Sequence, residues 1–148
     1  MRLPRRLSLT LWILATGLVP FLAAADPAAL TFQELYKSAG VLGLQFSDRL
    51  LALRGKPVSM RGYMAPPLKP EADFFVMTKE PVSLCPFCQS DADWPADIVV
   101  VYLKRDMAFT TNTDRIEVTG VLEVGSRTDP KTGFVSLLRL VQAHFRRV

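Results

Sequence analysis

Two cysteines three positions apart, in Cys85-Pro86-Phe87-Cys88, are the only thiols of the 148-residue chain. Outside a reducing compartment such a pair has three uses. It closes a disulfide, it cycles redox equivalents, or it presents two thiolates to a soft metal. The spacing accommodates all three. As a metal site it is half of a zinc knuckle, because zinc takes four tetrahedral ligands from Cys, His or carboxylate. Asp91 and Asp93 follow closely, and His144 is the single histidine. The candidate metal set is therefore Cys85, Cys88, Asp91, Asp93 and His144. A second copy of the chain, bringing another Cys pair, also completes four ligands. Copper(I) draws Met60, Met64 and Met77 into consideration. Met60 and Met64, however, share a strand face with Val58, which marks them as core. As a staple the pair is weak, because a disulfide across two residues constrains little of the unfolded chain.

Redox use makes a structural demand. In a thioredoxin-type site the first cysteine opens a helix whose dipole stabilises the thiolate. Here Pro95 ends any helix within two turns, a β-branched run starts at Ile98, and Asp91 and Asp93 raise a nearby thiol pKa. A thiol–disulfide oxidoreductase with Cys85 as nucleophile stands as the alternative to a non-enzymatic binding protein. An interaction module with an inert disulfide is the third reading. No Gly-rich phosphate loop, Ser/His/Asp set or H-E-x-x-H helix occurs. One histidine without a recognisable carboxylate pair offers no general acid–base machinery, so no catalytic residue is assigned. Trp94, beside Pro95, reads as a plug for the end of a barrel, with a partner-binding anchor as its other role. His144 shares a strand face with Gln142 and by itself reads as a surface residue.

The elements that must hold these side chains follow from periodicity. Thr31-Phe32-Gln33-Glu34 has the capping-box pattern and predicts a short helix from Phe32 to Ser38, broken by Gly40 and Gly43. Asp26 to Leu30 reads as a loose arm. Ser47 caps a helical turn through Leu53, ended by Gly55. The period then changes to two: Val58, Met60 and Met64 share one face of a strand from Pro57 to Met64, and Ser59, Arg61 and Tyr63 the other. Phe74 to Met77 is a second strand. The continuous apolar run Ile98 to Leu103 predicts a central strand buried on both faces. Arg115 to Val124 and Phe134 to Phe145 complete five strands, joined by a turn-forming stretch, Ser126 to Gly133. Gly62 and Gly120 lie inside strands, where glycine permits sharp coiling. Five strands without βαβ alternation predict an all-β fold with a short N-terminal helical segment, a small OB-like Greek-key barrel, with a β-sandwich fragment as runner-up.

Charge restricts the partners. The formal net charge is +4, but Arg2, Arg5 and Arg6 lie ahead of the first acid, Asp26. Without them fifteen basic residues face fourteen acidic ones. Bulk attraction to nucleic acid is not supported, although Arg139, Arg146 and Arg147 make a small basic end. The three early arginines open a signal-peptide pattern: a basic start, an apolar stretch from Leu7 to Leu22, and Ala23-Ala24-Ala25 before Asp26. The stretch is shorter than the roughly 20 residues of a spanning helix, so cleavage after Ala25 and no later membrane insertion are expected. No cysteine lies near the cut to carry a lipid. The expected location is the bacterial periplasm or exterior, where disulfides form.

The pattern Leu53-x-Gly55-Lys56-x-Val58-x-Met60-x-Gly62-Tyr63-Met64-x-Pro66, followed by Cys85 to Cys88, Ile98 to Leu103 and Val118 to Leu122, resembles that of a bacterial exported family of unknown function. The resemblance implies an OB-fold-like domain of the cell envelope. It also implies an accessory or binding role, in some cases beside ABC-type export or metal-uptake systems, and it carries no catalytic residues. The expectation is a signal peptide over 1–25, an arm with short helices over 26–56, and a barrel over 57–148. Its business is zinc or another soft metal, or contact with an envelope transport complex.

Overall fold

The computed structural model describes residues 26–40, 43–66, 72–83, 94–104 and 114–148. Among them are eight strands and one α-helix: β1 Ala28–Ala29, β2 Tyr36–Gly40, β3 Gly43–Phe46, α1 Asp48–Leu53, β4 Pro57–Met64, β5 Phe74–Thr78, β6 Ile98–Leu103, β7 Arg115–Thr128 and β8 Val135–Arg147. The fold is all-β with very little helix. Six strands form one sheet in the order β1–β4–β5–β6–β8–β7, and β7 pairs again with β4. The β6–β8 pair is parallel, as is the short β1–β4 pair, while β4–β5, β5–β6, β4–β7 and β7–β8 are antiparallel. β2 and β3 make a separate two-stranded ladder.

Alternation sets the faces of β4 and β7. Val58, Met60, Gly62 and Met64 are buried on one side of β4, as are Ile116, Val118, Gly120 and Leu122 on β7. β5 and β6 sit mid-sheet, and their side chains from Phe74 to Thr78 and from Ile98 to Val101 are all buried. A strand covered on both faces needs an unbroken apolar, β-branched run, which is what Ile98-Val99-Val100-Val101 supplies. Met60, Met64 and Met77 lie in this core, at most 2% exposed. Their sulfurs fill packing space and do not face solvent, in keeping with the core reading.

Two in-strand glycines are required by close approach. A Cβ on Gly62 would stand 2.6 Å from the carbonyl oxygen of Thr78 and 2.9 Å from Met77 Cγ. At Gly120 it would meet the Val141 carbonyl oxygen and Ala143 Cβ at 3.0 Å each. The register between β7 and β8 shifts here, between Thr119 and Val121, and Gln142 takes a φ of 50° on the bulged strand. The turn after β7 is closed by Asp129. Its Oδ1 accepts from the Lys131 and Thr132 amides at 3.2 and 2.9 Å and from the Thr132 hydroxyl at 2.8 Å. This Asx geometry is what the Asp-Pro-Lys-Thr-Gly composition forecasts.

The N-terminal segment departs from expectation. Instead of a helix from Phe32 to Ser38, only a 3-10 turn forms over Phe32–Glu34, and the chain then extends into β2. Glu34 does reach back, accepting from the Thr31 amide at 2.9 Å and from the Thr31 hydroxyl at 2.8 Å. That hydroxyl therefore donates to the carboxylate. Gly40 and Gly43 lie at the turn end of a hairpin rather than past the end of a helix. Tyr36 and Phe46, stacked 5.7 Å apart, close its base. The arm is also not loose. β1 pairs Ala28 and Ala29 with Val58 and Ser59, and the Leu30 amide donates to Ser59 O at 2.9 Å. Leu30, Phe32, Leu35 and Leu50 enter the same core as the strands. Each side chain so buried stabilises by about 1.5–3 kcal/mol. The expected turn over Asp48–Leu53 is present: Ser47 Oγ accepts from the Leu50 amide at 3.0 Å, and Ser47 donates to the Glu34 carbonyl, tying the two turns together.

Candidate functional site

Cys85, Cys88, Asp91 and Asp93 lie outside the described residues; the backbone on either side of them is described. β5 leaves the sheet at Thr78, directly opposite Ile98, where the chain re-enters as β6. The Lys79 amide donates to Asp97 O at 3.0 Å, one step beyond the last ladder pair. Thr78 Oγ1 donates to Glu80 O at 2.7 Å. Near the re-entry, Trp94 is 4% exposed and its indole N–H donates to the Tyr36 hydroxyl at 2.8 Å. Burial pushes the Tyr36 phenol up to about 12, against the opposing effect of the indole hydrogen bond. Trp94 is thus a buried plug held by the β2–β3 hairpin rather than an exposed anchor.

His144 is exposed on β8, opposite Thr119. The parallel register pairs Leu103 with Ala143, and Lys104 N–H donates to Ala143 O at 2.8 Å. His144 therefore stands at the Leu103 end of β6, a strand length (roughly 17 Å at ~3.3 Å per residue) from Ile98. Among the described residues no group of three or more His, Cys, Asp and Glu side chains comes together. The expected basic end is not a free positive patch. Arg139 is 5% exposed and bonds Glu123 Oε2 at 3.1 Å, Arg146 bonds Glu117 Oε1, and Arg147 pairs with Asp114 at 3.2 Å.

The register also assembles a cleft that periodicity could not reveal. Its volume is about 510 Å³, and it lies between the Ala29–Gln33 segment and the outer face of β4 and β7. Outward residues fall opposite one another across that ladder: Ser59 against Thr119, Arg61 against Glu117, Tyr63 against Arg115. Lys79 and Glu80, just past β5, complete the rim. Glu117 accepts from Arg61 Nε at 2.7 Å on one oxygen and from Arg146 Nη2 at 2.5 Å on the other. The Arg61 and Arg146 hydrogen bonds hold its carboxyl below the usual range. The sequence signal was the alternation of charged residues at 61, 115 and 117; their pairing needed the three-dimensional register.

No family model matches the chain, and no curated protein matches it. Among solved structures the chain is similar to a DUF3299 family protein from Pseudomonas aeruginosa PAO1, with a TM-score of 0.55 and 14% identity, over 84% of this chain and 97% of that one. At that identity the likeness concerns the fold alone.

Proposed function

We propose that the chain is an exported, non-enzymatic binding or accessory protein. In this reading a five-stranded OB-like barrel presents the Cys85–Cys88 segment between two central strands. The barrel reading is supported by the β4–β7 pairing, which returns the strand order to its start, and by the parallel β6–β8 pair. The thiolates bind zinc or another soft metal, completed by Asp91 and Asp93, and the loaded segment is the surface offered to an envelope transport complex. His144 stands at the Leu103 end of β6, away from the Thr78–Ile98 base of the segment.

The observation that carries this reading is the fixed base of the segment. The Thr78–Ile98 register pair, the Lys79-to-Asp97 hydrogen bond and the buried Trp94 tether both of its ends to the sheet. Fixed ends shorten the span the segment can explore, which lowers the entropy lost when it closes on a ligand. The oxidoreductase alternative has weaker support, because Pro95 and the β-branched run from Ile98 leave the sequence after the thiols at most two helical turns. Metal analysis of purified, reduced protein tests the proposal. One zinc per chain, or one per two chains, is expected, and Cys85→Ser removes it. Metal-free protein that takes up neither zinc nor copper overturns it.

A further inference from the structure

The rim of the cleft carries more positive charge than its own acids neutralise. Arg61, Lys79 and Arg115 face Glu80 and Glu117, and Arg146 stands behind Glu117. Four cations thus surround two carboxylates. Arg61 reaches Glu117 through Nε alone, so its two terminal nitrogens have no partner among the described residues. Lys79 and Arg115 likewise have no carboxylate partner among them. Glu117 occupies both of its oxygens with two arginines, which fixes the direction of Arg61 and leaves the carboxylate little capacity to repel an incoming anion.

The scaffold under these groups is rigid. Arg61 and Arg115 are diagonal neighbours on paired strands, a separation that long side chains bridge. The opposite wall, Ala29 to Phe32, is fastened by the β1–β4 pair and by burial of Leu30 and Phe32. The cleft's 510 Å³ lies within the roughly 300–1,000 Å³ of small-molecule sites. It exceeds what one inorganic anion fills.

We propose that this cleft binds a phosphate group on an organic carrier, gripped by the Arg61 terminal nitrogens, Arg115 and Lys79. An excess of two positive charges matches a phosphate monoester, and a guanidinium fork matches its oxygens. The carrier lies along the Ala29–Phe32 wall. The same chemistry is offered by a soluble phosphate ester and by a phospholipid headgroup. The site is independent of the thiols, so its failure and that of the metal reading are separable.

The test is an amide-resolved NMR titration of the purified protein with inorganic phosphate and glycerol 3-phosphate. Alongside it runs cosedimentation with vesicles containing phosphatidic acid, whose headgroup is a phosphate monoester. Saturable shifts confined to residues 59–63, 79–80 and 115–119 are expected. Affinity falls about tenfold or more in Arg115→Gln, as for a lost charge-assisted hydrogen bond, and holds in Arg54→Gln, which removes the same charge at an exposed position outside the cleft. Binding of glycerol 3-phosphate assigns the soluble source. Binding of vesicles alone, lost in Arg115→Gln, assigns the headgroup. No saturable change with any of the three probes, or equal weakening in Arg54→Gln, overturns the site. Both substitutions alter exposed side chains, and the ligand-free spectrum verifies the fold of each variant.

Discussion

Strand β7 runs between two polar clusters of opposite character. At its far end, Arg139 is buried and Nη1 donates to Gly125 O, Ser136 O and Ser136 Oγ at 2.9, 2.8 and 3.1 Å, while Nε holds Glu123. Asp129 is surrounded by donors there, Tyr102 OH among them at 3.0 Å, and Arg127 lies 5.0 Å above the Tyr102 ring. At its near end, Arg61, Lys79 and Arg115 surround an open cleft with donors left over. Both clusters combine arginines with glutamate. The buried one is closed on itself and stabilises a bulge and a turn; the open one retains capacity for a ligand. A polar cluster is best read by which of its donors are already engaged.

Substitutions separate the two ends. The largest effect comes from beneath the cleft. Gly62→Ala drives a methyl group against the Thr78 carbonyl, and denaturant unfolding should show a loss above about 3 kcal/mol. Arg139→Met follows, with a loss of about 3 kcal/mol, since it leaves buried carbonyls unpaired. By contrast, Arg61→Gln and Arg115→Gln should change stability by less than about 0.5 kcal/mol, as exposed charges do. Equal costs at the two ends would erase the distinction between them.

Titration sharpens the same contrast. Burial pushes the Asp129 carboxyl up, but hydrogen bonds from Thr132, Tyr102 and Lys131 together outweigh it and hold the group below its ordinary value. A depressed carboxylate stabilises fully above the unfolded aspartate range. That contribution fades as pH falls through the depressed folded value. Stability should therefore decline below about pH 4, and the decline should be shallower in Asp129→Asn. At the alkaline side, burial first and the Asp129 hydrogen bond second push Tyr102 up to about 12, and burial does the same for Tyr36. A raised phenol stabilises fully below its unfolded value near 10, and the contribution is lost as pH climbs through the folded one. Ultraviolet titration should show these two tyrosines ionising only near pH 12. Tyr102→Phe removes one of them together with its hydrogen bond to the Asp129 carboxylate, at a cost of about 1.5 kcal/mol.

Much of the scaffold was legible in the residues. Alternation placed β4 and β7, and the unbroken Ile-Val-Val-Val run placed β6 mid-sheet; by sequence the glycines at 62 and 120 read as sites of sharp coiling, and close backbone approach is what requires them. What failed was local. The Thr31–Glu34 contact forms, yet it caps only a 3-10 turn, because Tyr36 is drawn into an extended pairing where it stacks on Phe46 and accepts from the Trp94 indole. Glycines 40 and 43 suit a helix stop and a hairpin turn alike. The cleft was illegible for a different reason. Arg61 and Glu117 are 56 positions apart, and only strand register brings them together. The thiol pair was conspicuous in the sequence, and what the fold adds is the tethered base beneath it.

Cobalt(II) titration of the reduced protein probes that pair most directly, because thiolate ligation produces a sulfur-to-metal absorption band in the near ultraviolet. A band that saturates at a fixed stoichiometry, is displaced by zinc and disappears in Cys85→Ser is the predicted result. Reduced protein that develops no such band contradicts a metal role for Cys85 and Cys88.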